Sequence, residues 1–134
     1  MAEYKINEGN QIGYMPTEFG TNQAIVEKKI VAGANLTKGQ VVEVTGEFVV
    51  NATTAASDKV IGVAMFDVKA GEPVSIETEG LFKLQAGGSI TAGDILESAK
   101  DGKVAKAGDT VKKAIGVALN SASTNEYVFV KFTV

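Results

Sequence analysis

Ala32-Gly33-Ala34-Asn35-Leu36-Thr37-Lys38-Gly39-Gln40-Val41-Val42-Glu43 returns 54 residues later as Ala86-Gly87-Gly88-Ser89-Ile90-Thr91-Ala92-Gly93-Asp94-Ile95-Leu96-Glu97. The same offset carries Ile61-Gly62-Val63-Ala64 onto Ile115-Gly116-Val117-Ala118, and Glu72, Val74 and Ile76 onto Glu126, Val128 and Val130. One offset shared by three separated blocks divides the chain into two similar halves, 32–80 and 86–134. Solenoids and propellers need more copies to bury a continuous core. Two copies predict a single all-β domain, a compact β-barrel or β-sandwich built from two similar units.

The period inside each unit is that of strands. Gln40 to Val44 runs through Thr45-Gly46-Glu47 into Phe48-Val49-Val50, and Asp94 to Ser98 turns at Lys100-Asp101-Gly102 into Lys103-Val104-Ala105. Asp-Gly between short alternating runs predicts a type I′ hairpin, because both central residues need positive φ. Tyr127 to Val134 reads as a closing strand, with Tyr127, Phe129 and Lys131 on one side and Val128, Val130 and Phe132 on the other. Only 53–59 and 68–71 could hold a helical turn, and no window sustains a helical stripe. Glu77 to Leu84 joins the halves either as a linker or as a strand that exposes Leu81-Phe82.

Residues 1–23 stand outside the repeat as an N-terminal arm, and 24–134 form the β-domain. Gly9, Gly13, Pro16 and Gly20 break the arm, yet it carries Tyr4, Ile6, Ile12, Tyr14, Met15 and Phe19. Disordered tails are poorer in such side chains. The arm is therefore expected to order against its own barrel or a partner.

Composition removes most chemistry. With no cysteine and no histidine, the chain lacks thiolate and imidazole nucleophiles, bases and zinc ligands. All 13 basic residues are lysine and the net charge is −3, so no arginine reads phosphate or base edges and no nucleic-acid partner is expected. No apolar run is long enough to span a bilayer, and the N-terminus lacks a signal-peptide pattern, so no membrane partner and cytoplasmic synthesis are expected. Gly88 to Gly93 has the glycine spacing of a phosphate loop, but Asp94 stands where lysine is required and a strand follows. A tight turn is the better reading, with glycine supplying positive φ.

The carboxylates Asp58, Asp67, Glu72, Glu77, Glu79, Asp94, Glu97 and Asp101 read as a solvated surface. Their spacing is not that of a calcium loop, and sugar-stacking aromatics are few. No cofactor, metal site or enzymatic activity is expected. Gly62 and Gly116, inside strands, mark close backbone approach, expected where the two halves meet.

The second half resembles the small capsid decoration, or cement, proteins of tailed phages. The resemblance lies in Ala86 to Leu96, Asp101-Gly102-Lys103-Val104, Ala114-Ile115-Gly116-Val117-Ala118-Leu119 and Glu126-Tyr127-Val128-Phe129-Val130. The first half follows more loosely, and the arm lies outside. Ser123-Thr124-Asn125-Glu126 departs from the family's Ala-Gly-Glu, which Ala70-Gly71-Glu72 keeps. The resemblance implies a virion protein, a homotrimer on the outer face of the head. It would bind the major capsid protein, bridge capsomers and stabilise the DNA-filled shell. Tyr4, Ile6, Ile12, Tyr14, Met15 and Phe19 would then be capsid-binding residues of the arm. Two other readings are a carbohydrate- or cell-surface-binding β-module and an enzyme using carboxylates alone.

Overall fold

The computed structural model describes residues 29–108 and 113–134. The six candidate arm residues lie outside this range. Within the described residues, ten strands form two five-stranded sheets. The first sheet runs β1 (Val31–Ala32), β3 (Val49–Ala52), β2 (Val41–Gly46), β4 (Val60–Ala64) and β5 (Ile76–Glu77). The second runs β6 (Glu79–Gln85), β10 (Tyr127–Thr133), β9 (Ala114–Ala118), β7 (Ile95–Ser98) and β8 (Val104–Lys106). The all-β architecture of two similar units is the one the repeat predicts, with a separate sheet for each unit. The region joining the halves resolves as the strand β6.

The repeat holds in the hydrogen-bond ladder. Val41 faces Val63 across β2 and β4 as Ile95 faces Val117 across β7 and β9. Both ladders slip at the same step, between Val42 and Glu43 and between Leu96 and Glu97. Outside the strands, Leu36 bridges Val68 as Ile90 bridges Ala122. Ala32 pairs with Val50 in parallel as Ala86 pairs with Val104, so in each unit the incoming chain reaches the far edge of its sheet. Such an incoming strand begins to close the sheet into a barrel.

Glycine explains the local geometry at two kinds of position. Gly39 and Gly93 both hold φ 92°, in the turns feeding β2 and β7. These are turns, as expected, and no phosphate loop. Gly62 and Gly116 serve close approach. A Cβ on Gly62 would collide with the Glu77 carbonyl and Ile76, and one on Gly116 with the Lys131 carbonyl and Val130. The approach is thus to the neighbouring strand of the same sheet, which corrects the expectation that these glycines let the halves meet. The β7–β8 hairpin turns as predicted, with Asp101 at φ 62° and Gly102 at φ 69°. Lys103 N–H closes that turn on the Lys100 carbonyl at 3.3 Å, within a short 3-10 turn (Lys100–Gly102).

Two apolar clusters make the core. Ala32, Leu36, Val42, Val50 and Ala64 fill the first unit. The larger cluster gathers Leu84, Leu96, Ile115, Val128, Val130 and Phe132 from the second unit and adds Val41 and Val63 from the first. The sheet of the first unit is therefore sandwiched, its second face resting on the second unit. Phe82 packs edge-on against Phe132, ring centroids 5.8 Å apart.

Polar contacts lock the units together. Thr53 Oγ1 donates to the Ala99 carbonyl at 2.8 Å, and Gly102 N–H donates to the Thr53 carbonyl at 3.0 Å. Ser98 Oγ donates to the Ala55 carbonyl at 2.8 Å and accepts from Ser57 N–H at 3.0 Å. Gln40 Nε2 donates to the Asp101 carbonyl at 3.0 Å. Thr53 and Ser98 are buried, and burial there is tolerable because each hydroxyl has a partner.

Candidate protein-binding surface

The outer face of the second sheet carries exposed apolar side chains with two lysines, Lys83 and Lys131, set among them. Strand alternation turns Tyr127, Phe129 and Lys131 of β10 outward, as the sequence predicts, while Val128, Val130 and Phe132 are buried. Cross-strand pairing extends this face sideways. Ile95 of β7 pairs with Val117 of β9, Val117 with Lys131 of β10, and Lys131 with Leu81 of β6, making one row across four strands. A second row joins Leu119, whose N–H donates to the Phe129 carbonyl, to Phe129 and then to Lys83. Lys83 Nζ lies 5.0 Å from the centroid of the Tyr127 ring.

The repeat shows how unusual this exposure is. Val41 and Val63, the counterparts of Ile95 and Val117, are 0% and 1% exposed beneath the second unit. Ile95 and Val117 are 46% and 40% exposed. Leu119 and Phe129 are each 52% exposed, and Leu81 is 71% exposed. Equivalent positions in one chain thus differ only in whether a β-unit covers them. Contiguous apolar patches on soluble proteins mark interaction sites. Sequence alternation located the β10 part of this face. It could not show that Ile95 and Val117 are open, because their pattern matches that of the buried Val41 and Val63.

Three of the carboxylates are engaged in turns. Asp67 accepts from Lys38 N–H at 2.8 Å, Asp94 from Thr91 N–H at 2.9 Å, and Glu72 from Lys69 N–H at 2.7 Å. Each caps a turn, which accounts for its presence without chemistry. Among the described residues, no three acidic side chains come together as a metal-holding group. A cleft of about 200 Å³ between the units is lined by Gln40, Lys83, Gln85, Asp101, Lys103 and Tyr127, among others. It carries one acidic side chain, that of Asp101, and so offers no carboxylate pair.

A solved structure of the head fiber gp8.5 N base in bacteriophage phi29 has the same fold, with a TM-score of 0.61 at 22% sequence identity. The similarity covers 78% of this chain and 91% of that one. No curated protein matches the chain. The phage cement protein family matches residues 20–133, which span both β-units. The chain belongs to the phage cement protein family and is a structural protein of a phage head.

Proposed function

We propose that this protein binds the outer surface of the assembled capsid shell, bridges neighbouring capsomers and stabilises the DNA-filled head, without catalysing a reaction. The observation that carries the proposal is the open apolar face of the second sheet, built on Ile95, Val117, Leu119 and Phe129. Family membership supplies the setting. The major capsid protein is the proposed partner, and a homotrimer at three-fold positions is the proposed form. A cyclic trimer presents three copies of each contact, and linking weak contacts raises overall binding by roughly 10²–10⁴ when the geometry permits. No nucleic acid or membrane takes part in this scheme.

The arm residues Tyr4, Ile6, Ile12, Tyr14, Met15 and Phe19 are proposed as a second contact. An extended segment can add main-chain hydrogen bonds to a partner sheet while alternate side chains fill pockets. Deleting residues 1–20 should lower shell occupancy, and unchanged occupancy would remove the arm from the scheme.

Co-sedimentation with undecorated phage heads tests the whole reading. Saturable binding at a fixed ratio to capsomers is expected, and failure to co-sediment with any head would sink it. Light scattering of the free protein reads the trimer separately. The carbohydrate reading has one observation in its favour: Tyr127 and Phe129 project from the same face. Lys83 already caps Tyr127, which leaves Phe129 as a lone sugar platform. Retention on glycan resins would revive that reading.

A further inference from the structure

The cleft between the units departs from the repeat with one sign of charge. Lys38, Gln40, Lys83, Gln85, Lys103 and Tyr127 stand around its volume of about 200 Å³. The 54-residue offset pairs Lys38 with Ala92, Gln40 with Asp94 and Lys103 with Val49. Each of these differences makes the cleft more positive than the equivalent place in the other unit. Gln40 achieves this without losing its turn. Its Oε1 accepts from Thr37 N–H at 2.8 Å, as Asp94 Oδ2 accepts from Thr91 N–H at 2.9 Å. Its Nε2 also donates to the Asp101 carbonyl at 3.0 Å, a bond that no carboxylate can make. The amide takes over the capping role of Asp94 and keeps a negative charge out of the cleft.

The rest of the lining agrees. Lys83 Nζ stands 5.0 Å from the Tyr127 ring centroid, and Lys103 Nζ donates to Asn125 Oδ1 at 2.8 Å. Among the described residues that line the cleft, Asp101 carries the one carboxylate against three ammonium groups. A hollow of about 420 Å³ adjoins the cleft and shares Lys38, Gly39, Lys83 and Tyr127 with it. Met65, Leu81 and Phe82 give this hollow an apolar wall. Leu81 and Tyr127 belong also to the exposed face of the second sheet, so face, hollow and cleft are continuous.

We infer that the cleft receives a glutamate or aspartate side chain of a partner polypeptide, whose neighbouring aliphatic side chain enters the hollow. Charge complementarity selects the anion, because the ammonium groups outnumber Asp101. Lysine attracts any anion as a point charge, so the choice among anions falls to the hollow. A polypeptide sets an acidic and an aliphatic side chain next to each other and fills both spaces. A bare phosphate leaves the apolar space empty. The inference rests on the proposed function for the partner being a protein, and it adds the chemistry which that partner's surface must offer.

Exposed ion pairs bind weakly one at a time, so the test reads a weak probe directly on the whole chain. Two blocked peptides serve, acetyl-Gly-Glu-Leu-Gly-amide and acetyl-Gly-Gln-Leu-Gly-amide. The backbone amides of Gly39 and Gly102, both in the cleft lining, report binding by their NMR shifts. The glutamate peptide should shift both saturably, at least about fivefold tighter than the glutamine peptide. Lys38→Gln and Lys103→Gln should each weaken it about twofold to fivefold with the melting midpoint unchanged, while Lys59→Gln, outside the cleft, should not. High salt should weaken the glutamate peptide and spare the other. Equal binding of the two peptides, or shifts confined to other amides, overturns the inference. So does inorganic phosphate that moves both amides as strongly as the peptide does. Binding that appears only after deletion of residues 1–20 would make the chain's own arm the occupant, and would also overturn it. Co-sedimentation keeps the two readings apart. Peptide binding without head binding sinks the proposed function and leaves the cleft, and head binding without peptide binding does the reverse.

Discussion

Gly71 and Asn125, 54 residues apart, hold the same left-handed backbone conformation, with φ 86° and 71°. Each ends a turn in which the next glutamate accepts from a backbone N–H three residues before it, Lys69 for Glu72 and Ser123 for Glu126. Asparagine thus stands in Ser123-Thr124-Asn125-Glu126 where Ala70-Gly71-Glu72 of the first half has glycine, and it does so as the next residue that tolerates this region.

Asn125→Ala should therefore destabilise the protein by about 1–2 kcal/mol, the cost of the left-handed region for a residue with Cβ. Asn125→Gly should stay within about 0.5 kcal/mol of the parent, since relief of strain offsets the hydrogen bond lost from Lys103 Nζ. Gly71→Ala, with nothing within 4 Å of the new Cβ, isolates the conformational cost alone. Urea unfolding of the three variants checks this order.

Gly62→Ala and Gly116→Ala should cost about 1–3 kcal/mol or more, because the added methyl meets a backbone carbonyl of the adjacent strand, which cannot swing aside. Gly88→Ala has open space around it and serves as control, expected within about 0.5 kcal/mol. Thermal melts separate the two classes.

Much of this fold was legible because it is written twice. The turns at Gly39 and Gly93, the hairpin at Asp101-Gly102 and the alternation of β10 each follow from local rules that act within a few residues. The junction was not legible. Thr53 meets Ala99 and Ser98 meets Ala55 across more than 40 residues, and no local rule joins them. In retrospect there was a signal in the mismatches. Thr53 aligns with Ala107 and Ser98 with Val44, so the repeat breaks where the units need polar contacts to each other. The arm residues, by contrast, belong to no repeat, so the second copy offers nothing to calibrate them.

Thr53→Val and Ser98→Ala should each destabilise by about 0.5–1.5 kcal/mol, since each removes a part-buried hydrogen bond between the units. Thr53→Val strands the Ala99 carbonyl, and Ser98→Ala strands the Ala55 carbonyl and Ser57 N–H. Both act on one junction, so the double variant should lose less than the two losses added together. A double-mutant cycle by denaturant unfolding measures the shortfall, and strict additivity would mean that the two contacts are independent.

The most direct check of the binding face uses the repeat as its own control. Val63 and Val117 occupy equivalent ladder positions, one buried under the second unit and the other on the open face. Val63→Asp puts a carboxylate into the shared core without a partner and should unfold the domain or cost at least about 3 kcal/mol. Val117→Asp meets water and should leave the melting midpoint nearly unchanged, within about 1 kcal/mol of stability. In co-sedimentation with undecorated heads it should nonetheless weaken binding at least about tenfold, as should Phe129→Asp, because a charge at the centre of an apolar contact must be desolvated. Full binding by folded Val117→Asp and Phe129→Asp would show that the shell is gripped elsewhere, and would move the contact to the arm.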